Sequence, residues 1–80
     1  MTSQRLATLR AIRKFRGQIT YPELALHLRI TETAAMFRLE RMKDLVKKEG
    51  IGREASYVMR NEGWRRLEYL EEHMEESGGN

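Results

Sequence analysis

Apolar residues recur at spacings of three and four along most of the chain, which predicts a largely helical domain. Leu6, Leu9, Ala11, Ile12 and Phe15 form one stripe, with Arg5, Arg10, Arg13, Lys14 and Arg16 off it. The stripe predicts a first helix over residues 4–16, capped by Thr2 or Ser3 and stopped by Gly17. Thr20 and Glu23 have the spacing of a capping box, and Pro22 sits in the first turn, where its missing N–H is harmless. They open a short helix over residues 21–29 that buries Leu24, Ala25 and Leu28. Thr31 caps the next helix only about three residues later, so these two helices must cross sharply. Ala35, Leu39, Met42 and Val46 fall within one arc at about 100° per residue. That arc predicts a long helix over residues 32–48, roughly 26 Å, ended by Glu49-Gly50. The stem of Arg38 flanks the arc and can lie along it as structure.

The period then shortens. Ile51-Gly52-Arg53 and Ser56-Tyr57-Val58-Met59 predict a small hairpin over residues 51–60 around Glu54-Ala55. Tyr57 and Met59 would point to one side and Val58 to the other. Gln18-Ile19-Thr20 is too short to stand alone and is a candidate third strand. Asn61 caps a last helix over residues 61–76 with the stripe Trp64, Leu67, Leu70 and Met74. Residues 77–80 are expected to be a disordered tail. The pattern gives one mainly α domain with a small β-hairpin: helix, helix-turn-helix, wing, C-terminal helix.

Eighty residues make one small domain with a marginal core, burying only about 60% of its unfolded surface. No cysteine is present to staple it, so stability rests on helix packing or oligomerisation. No apolar run reaches the roughly 18 residues of a membrane helix, and no signal-peptide pattern appears. The expectation is a soluble, cytoplasmic protein without membrane contact. Residues 1–60 hold 13 Lys/Arg against 6 Asp/Glu, a balance of +7. Residues 61–80 hold 2 Arg against 6 Glu, a balance of −4, which together with the first gives the net +3. A basic body suits a polyanion, and an acidic end should face away from it. The plainer alternative is that both are solvated faces.

The polar side of the long helix is the candidate base-reading surface. Thr33 and Phe37 come first, with Arg41 a turn later. Threonine bonds base edges or touches a thymine methyl, and arginine clamps guanine. Phe37 lies nearly opposite the apolar arc, so it either contacts bases or packs against Tyr21 or the first helix. Lys47 and Lys48, at the helix exit, and Arg53, on the hairpin, are candidate phosphate contacts. Glu32 opposes phosphate binding at the helix start but can accept from cytosine.

The helix-helix order, the segments ITETAAMFRLERMKDLVKKEGI and YVMRNEGWRRL, and the hairpin between them resemble the winged helix-turn-helix regulators of bacteria and archaea. The MarR and PadR groups and small phage or plasmid repressors are nearest in layout, and the resemblance covers about residues 5–75. Thr31 matches the hydroxyl residue that opens the recognition helix, and Leu39 and Met42 match its aliphatic positions. Met59-Arg60-Asn61-Glu62-Gly63 is similar to the Leu-Thr-x-x-Gly pattern after the wing, with arginine for threonine. The family glycine expected at Val46 comes instead at Gly50, as if the helix were a turn longer, and the wing is short. The resemblance implies a homodimer whose C-terminal helices pair through Trp64, Leu67, Leu70 and Met74, setting two recognition helices about one DNA turn apart. Packing of that stripe on the first helix is the alternative. Glu71, Glu72, Glu75 and Glu76 would then face solvent.

Enzyme chemistry is not indicated. His27 and His73 lie on different helices, each without a second ligand nearby in sequence. Ser3, Ser56 and Ser77 sit in no nucleophile elbow, and no glycine-rich phosphate loop is present. No cofactor, metal or small-molecule ligand is expected. The overall expectation is a sequence-specific regulator of transcription that binds double-stranded DNA as a homodimer, in the repressor sense. The competing reading is a winged helix used as a protein–protein interaction module. RNA binding is weaker, for want of an aromatic platform on a sheet.

Overall fold

The capping box at Thr20 and Glu23 forms in full. The Thr20 hydroxyl accepts from the Glu23 amide at 3.3 Å, and the Glu23 carboxylate accepts from the Thr20 amide at 2.9 Å. The computed structural model describes residues 2–78, with side chains placed over residues 4–73. Its elements are α1 (Thr2–Lys14), β1 (Gln18–Ile19), α2 (Tyr21–Leu28), α3 (Glu32–Glu40), β2 (Val46–Glu49), β3 (Ser56–Met59) and α4 (Asn61–Gly78). Thr31 caps α3 by accepting from the Ala34 amide at 3.1 Å. Gly17 closes α1 with a positive φ of 92°, its amide bonded to the Ile12 carbonyl at 2.9 Å.

The predicted long helix is corrected: α3 stops at Glu40, not Lys48. Beyond Arg41 the backbone tightens. Met42 donates to Leu39 at 3.1 Å, and Leu45 to Met42 at 2.8 Å, bridging only three residues each. Val46 then enters a strand and pairs with Met59, followed by Lys47 with Val58, Lys48 with Tyr57 and Glu49 with Ser56. Every residue from Arg41 to Leu45 tolerates a helix, so local propensity does not end it; strand pairing does. Val46 is buried either way, so the arc that suggested a helix survives although the helix does not.

The hairpin is corrected with it. Its strands are β2 and β3, and the predicted strand at Ile51-Gly52-Arg53 is part of the connecting loop, with a 3-10 turn over Gly52–Glu54. Gly50 and Gly52 take φ of 94° and 70° there, conformations that L side chains rarely adopt. β1 joins as the third strand, pairing Gln18 with Val58 and Ile19 with Tyr57, in the order β1-β3-β2. Tyr57 and Met59 point into the core, as the alternation predicts.

One core gathers Leu9 and Ile12 of α1, Leu24 of α2, Leu39 of α3, Ile19 of β1 and Leu67 of α4. The expected dimer stripe on α4 is therefore corrected in part. Leu67 is 2% exposed and Leu70 7% exposed within one chain, so neither has surface left for a twin. Trp64 remains 39% exposed and lies over Gly17, where an added Cβ would stand 3.2 Å from the indole. The side chain of Met74 is outside the described residues, as are those of Glu75 and Glu76. α4 continues to Gly78, past the predicted start of the tail; Gly79 and Asn80 are outside the described residues.

Glu71 does not simply face solvent. It bonds Arg13 at 2.8 and 3.0 Å and Arg10 at 2.9 Å, clamping α4 to α1. The hydrogen bonds from Arg13 and then Arg10 hold its carboxyl below the usual range. At the other end of α4, Gly63 fits where a Cβ would meet the Leu45 carbonyl oxygen at 2.4 Å and the Met59 sulfur at 2.6 Å. That contact explains why glycine follows the wing. Gly63→Ala should lower stability by about 1–3 kcal/mol in urea unfolding, whereas Arg65→Ala, on the exposed side of the same helix, should stay within about 0.5 kcal/mol. Equal effects would remove the packing role given to Gly63.

Candidate nucleic-acid interface

α3 buries Ala35 and Leu39 and turns Thr33 and Phe37 outward. Phe37 is 52% exposed, while Tyr21 packs against the core without it. The alternative of a core Phe37 is thus not what the fold adopts. Thr33 and Phe37 are one helical turn apart and share one face. Arg41 is exposed but stands apart from them, as the residue just after the helix. It borders a hollow with Arg38, Met42, Gln4, Arg5 and Thr8.

Of the remaining cations, Lys47 and Lys48 sit elsewhere than the sequence implied, and Arg53 lies in the wing as expected. Lys47 and Lys48 are carried on β2 of the wing rather than on a helical exit turn. Lys47 lies 4.0 Å from Glu49. Lys48 lies 3.5 Å from Glu40 and 5.9 Å from the centre of the Tyr57 ring. Arg53, in the wing loop, pairs with Glu32 in the first turn of α3. The wing therefore folds back along α3, joined to it near both ends by carboxylates. These pairs are partly exposed, and such pairs contribute about 0–1 kcal/mol each, so the cations remain available to a stronger anion.

Glu40 is the hub that sequence reasoning missed. The Tyr57 hydroxyl donates to it at 2.6 Å, with Lys48 on one side and Lys43 at 3.6 Å on the other. The Tyr57 hydrogen bond is the main cause holding the Glu40 carboxyl below the usual range, with both lysines helping and burial opposing. Burial, and then the bond to Glu40, push the Tyr57 hydroxyl above its ordinary range, so it stays a donor. The Glu40 and Lys43 spacing was a readable signal; the contact with Tyr57 had none, because it joins residues that only the sheet brings together.

Two solved structures share this fold. One is a proposed transcriptional regulator protein from Pseudomonas aeruginosa PA01, with a TM-score of 0.78 and 24% identity, covering 91% of this chain and 52% of that one. The other is a MarR family protein from Bacillus stearothermophilus, with a TM-score of 0.80 and 18% identity, covering 96% of this chain and 56% of that one. The chain folds as a winged helix-turn-helix. It spans about half the length of the two structures it matches. No protein-family model and no curated protein matches the sequence. Within this winged helix, no described helix is long and apolar enough to cross a membrane. Among the described residues, no three His, Cys, Asp or Glu side chains gather as a metal site.

Because the folded Glu40 carboxyl titrates below its ordinary value, its bond to Tyr57 stabilises fully above that value. The contribution is lost as pH falls through the lower, folded value. Tyr57→Phe should lower stability by about 1 kcal/mol at pH 7, and thermal melts of the two proteins should converge as the pH falls below the ordinary carboxylate range. A gap that stays constant with pH would show that the hydroxyl bonds no ionised carboxylate.

Proposed function

We propose that the chain binds double-stranded DNA through α3 and the wing, and that it regulates transcription as a homodimeric repressor. The observation that carries this reading is the face at Thr33 and Phe37. It projects from a helix anchored on its other side, and its own chain does not cover it. Thr33 would bond base edges, and Phe37 would press on a thymine methyl or wedge at a base step. Lys47, Lys48 and Arg53 would hold phosphates on the wing side, and Arg41 would act at the far end of α3. The net charge of +3, concentrated before residue 61, supports a polyanionic partner, as does a fold shared with one protein described as a proposed transcriptional regulator and with a MarR family protein. Repression follows from occupancy, since a bound regulator blocks access to a promoter.

A dimer formed through α4 would use its flanks. Trp64 at 39% and Tyr69 at 53% exposure offer apolar surface there, in place of the buried Leu67 and Leu70. Sedimentation of the free protein should show a dimer, and a monomer at every concentration would remove that part of the proposal. Protein contact is the second reading. It is favoured by Leu26 on α2 and Ile51 in the wing loop, exposed at 83% and 87%.

Selection of duplexes from a random pool separates the two, because a protein-contact module enriches no sequence. On a selected duplex, Phe37→Ala should lose about 1–3 kcal/mol of binding and relax one base position. An equal loss on random duplex would reject base contact by Phe37. Glu32→Gln frees Arg53 and removes a negative charge from the start of α3. It should tighten binding about fivefold, equivalent to roughly 1 kcal/mol, in fluorescence anisotropy at low salt. Weaker binding would mean that Glu32 itself contacts a base.

A further inference from the structure

The hollow between α1 and the end of α3 has no role in the reading above. Its volume is about 100 Å³, and its rim is formed by Gln4, Arg5 and Thr8 of α1 with Arg38, Arg41 and Met42. Three arginines thus border one hollow from two segments far apart in sequence. Among the described residues, none of the three forms an ion pair with a carboxylate. Their neighbours behave differently: Arg10 and Arg13 are clamped by Glu71, Lys48 by Glu40 and Arg53 by Glu32. Arg5 and Arg38 are also half-buried, so their stems are already ordered.

Like charges around one hollow without a counter-charge repel, and an anion between them relieves that repulsion. Guanidinium forks fit tetrahedral oxyanions with paired N–H donors. The hollow lies beside the first turns of α1, where no acidic residue opposes an anion. Thr8 forms its buried floor, with its hydroxyl already donating to the Gln4 carbonyl at 2.9 Å. The space is well below the roughly 300 Å³ at which drug-sized sites begin, yet larger than a water needs. It suits one tetrahedral group.

We infer that Arg5, Arg38 and Arg41 form a seat for a single phosphate group, supplied by the DNA backbone beside the C-terminal end of α3. The DNA source rests on the proposed function; the seat itself does not. Arg41 then positions the duplex and does not read a base. Arg53 of the wing loop, near the start of α3, and the seat, near its end, would then hold backbone on either side of Thr33 and Phe37.

The test has two arms on the full chain. In the first, the arginine side-chain N–H signals are followed by NMR as inorganic phosphate is added, against chloride at equal ionic strength. Saturable shifts at Arg5, Arg38 and Arg41, with Arg65 and Arg66 on α4 unmoved, are expected; no saturable response at the three overturns the seat, even where the chain still binds duplex. In the second, anisotropy measures duplex binding across a salt series for Arg41→Gln, an exposed and fold-safe change, and for Arg38→Gln. Each should weaken selected and random duplex by the same factor and reduce the salt slope by about one. Arg38→Lys, which keeps the charge, should recover part of the slope. Phosphate shifts with unchanged duplex binding would keep the seat and assign it to a phosphate-bearing small molecule, overturning the DNA source. Phosphate shifts from a chain that binds no duplex would reject the proposed function alone. A loss confined to the selected duplex for Arg41→Gln would return Arg41 to base reading and overturn its place in the seat.

Discussion

The antiparallel pairing of Val46 with Met59 determines where α3 stops, and most of the functional surface follows from that stop. Were the helix to run on to Lys48, Lys47 and Lys48 would ride on its last turn. Ending at Glu40, it hands both lysines to a strand that runs back along its flank. The same pairing sets Tyr57 opposite Lys48 and within reach of Glu40, so one hydrogen bond joins the sheet to the helix. Gly63 completes the corner, because the chain can leave the wing only where Leu45 and Met59 leave no room for a side chain.

The wing cations are held in place before a partner arrives. Glu32 and Glu40 hold Arg53 and Lys48 beside α3. Such exposed pairs are weak, and they restrict long side chains that would otherwise roam. A phosphate that displaces either carboxylate meets a cation already near its place, and the freed carboxylate then opposes the incoming charge. Affinity for a polyanion is thereby moderated along the wing, whereas Arg5, Arg38 and Arg41 carry no such restraint among the described residues.

What the sequence made legible was local chemistry. The capping box at Thr20 and Glu23, the cap at Thr31 and the glycine stop at Gly17 each depend on residues a few positions apart, and each formed. The alternation at Tyr57, Val58 and Met59 and the outward position of Thr33 were readable from period alone, whereas period left Phe37 open between the outer face and the core. The end of α3 was not, because Val46 satisfies a helical arc and a buried strand position equally well. The stripe on α4 announced that Leu67 and Leu70 are covered without saying by what, and α1 rather than a twin provides a close neighbour. Arg53 was placed on the wing, but its partner Glu32 and the meeting of Tyr57 with Glu40 depend on tertiary contact.

We propose that the outward face of α3, with the wing beside it, is the surface that meets duplex DNA. Backbone amide shifts of the labelled chain, followed as a short duplex is added, test it residue by residue. The largest changes are expected at Thr33, Phe37 and Lys48, with Arg65, Arg66 and Tyr69 on α4 unmoved. Changes centred on α4 with α3 silent, or none anywhere at saturating duplex, would contradict it.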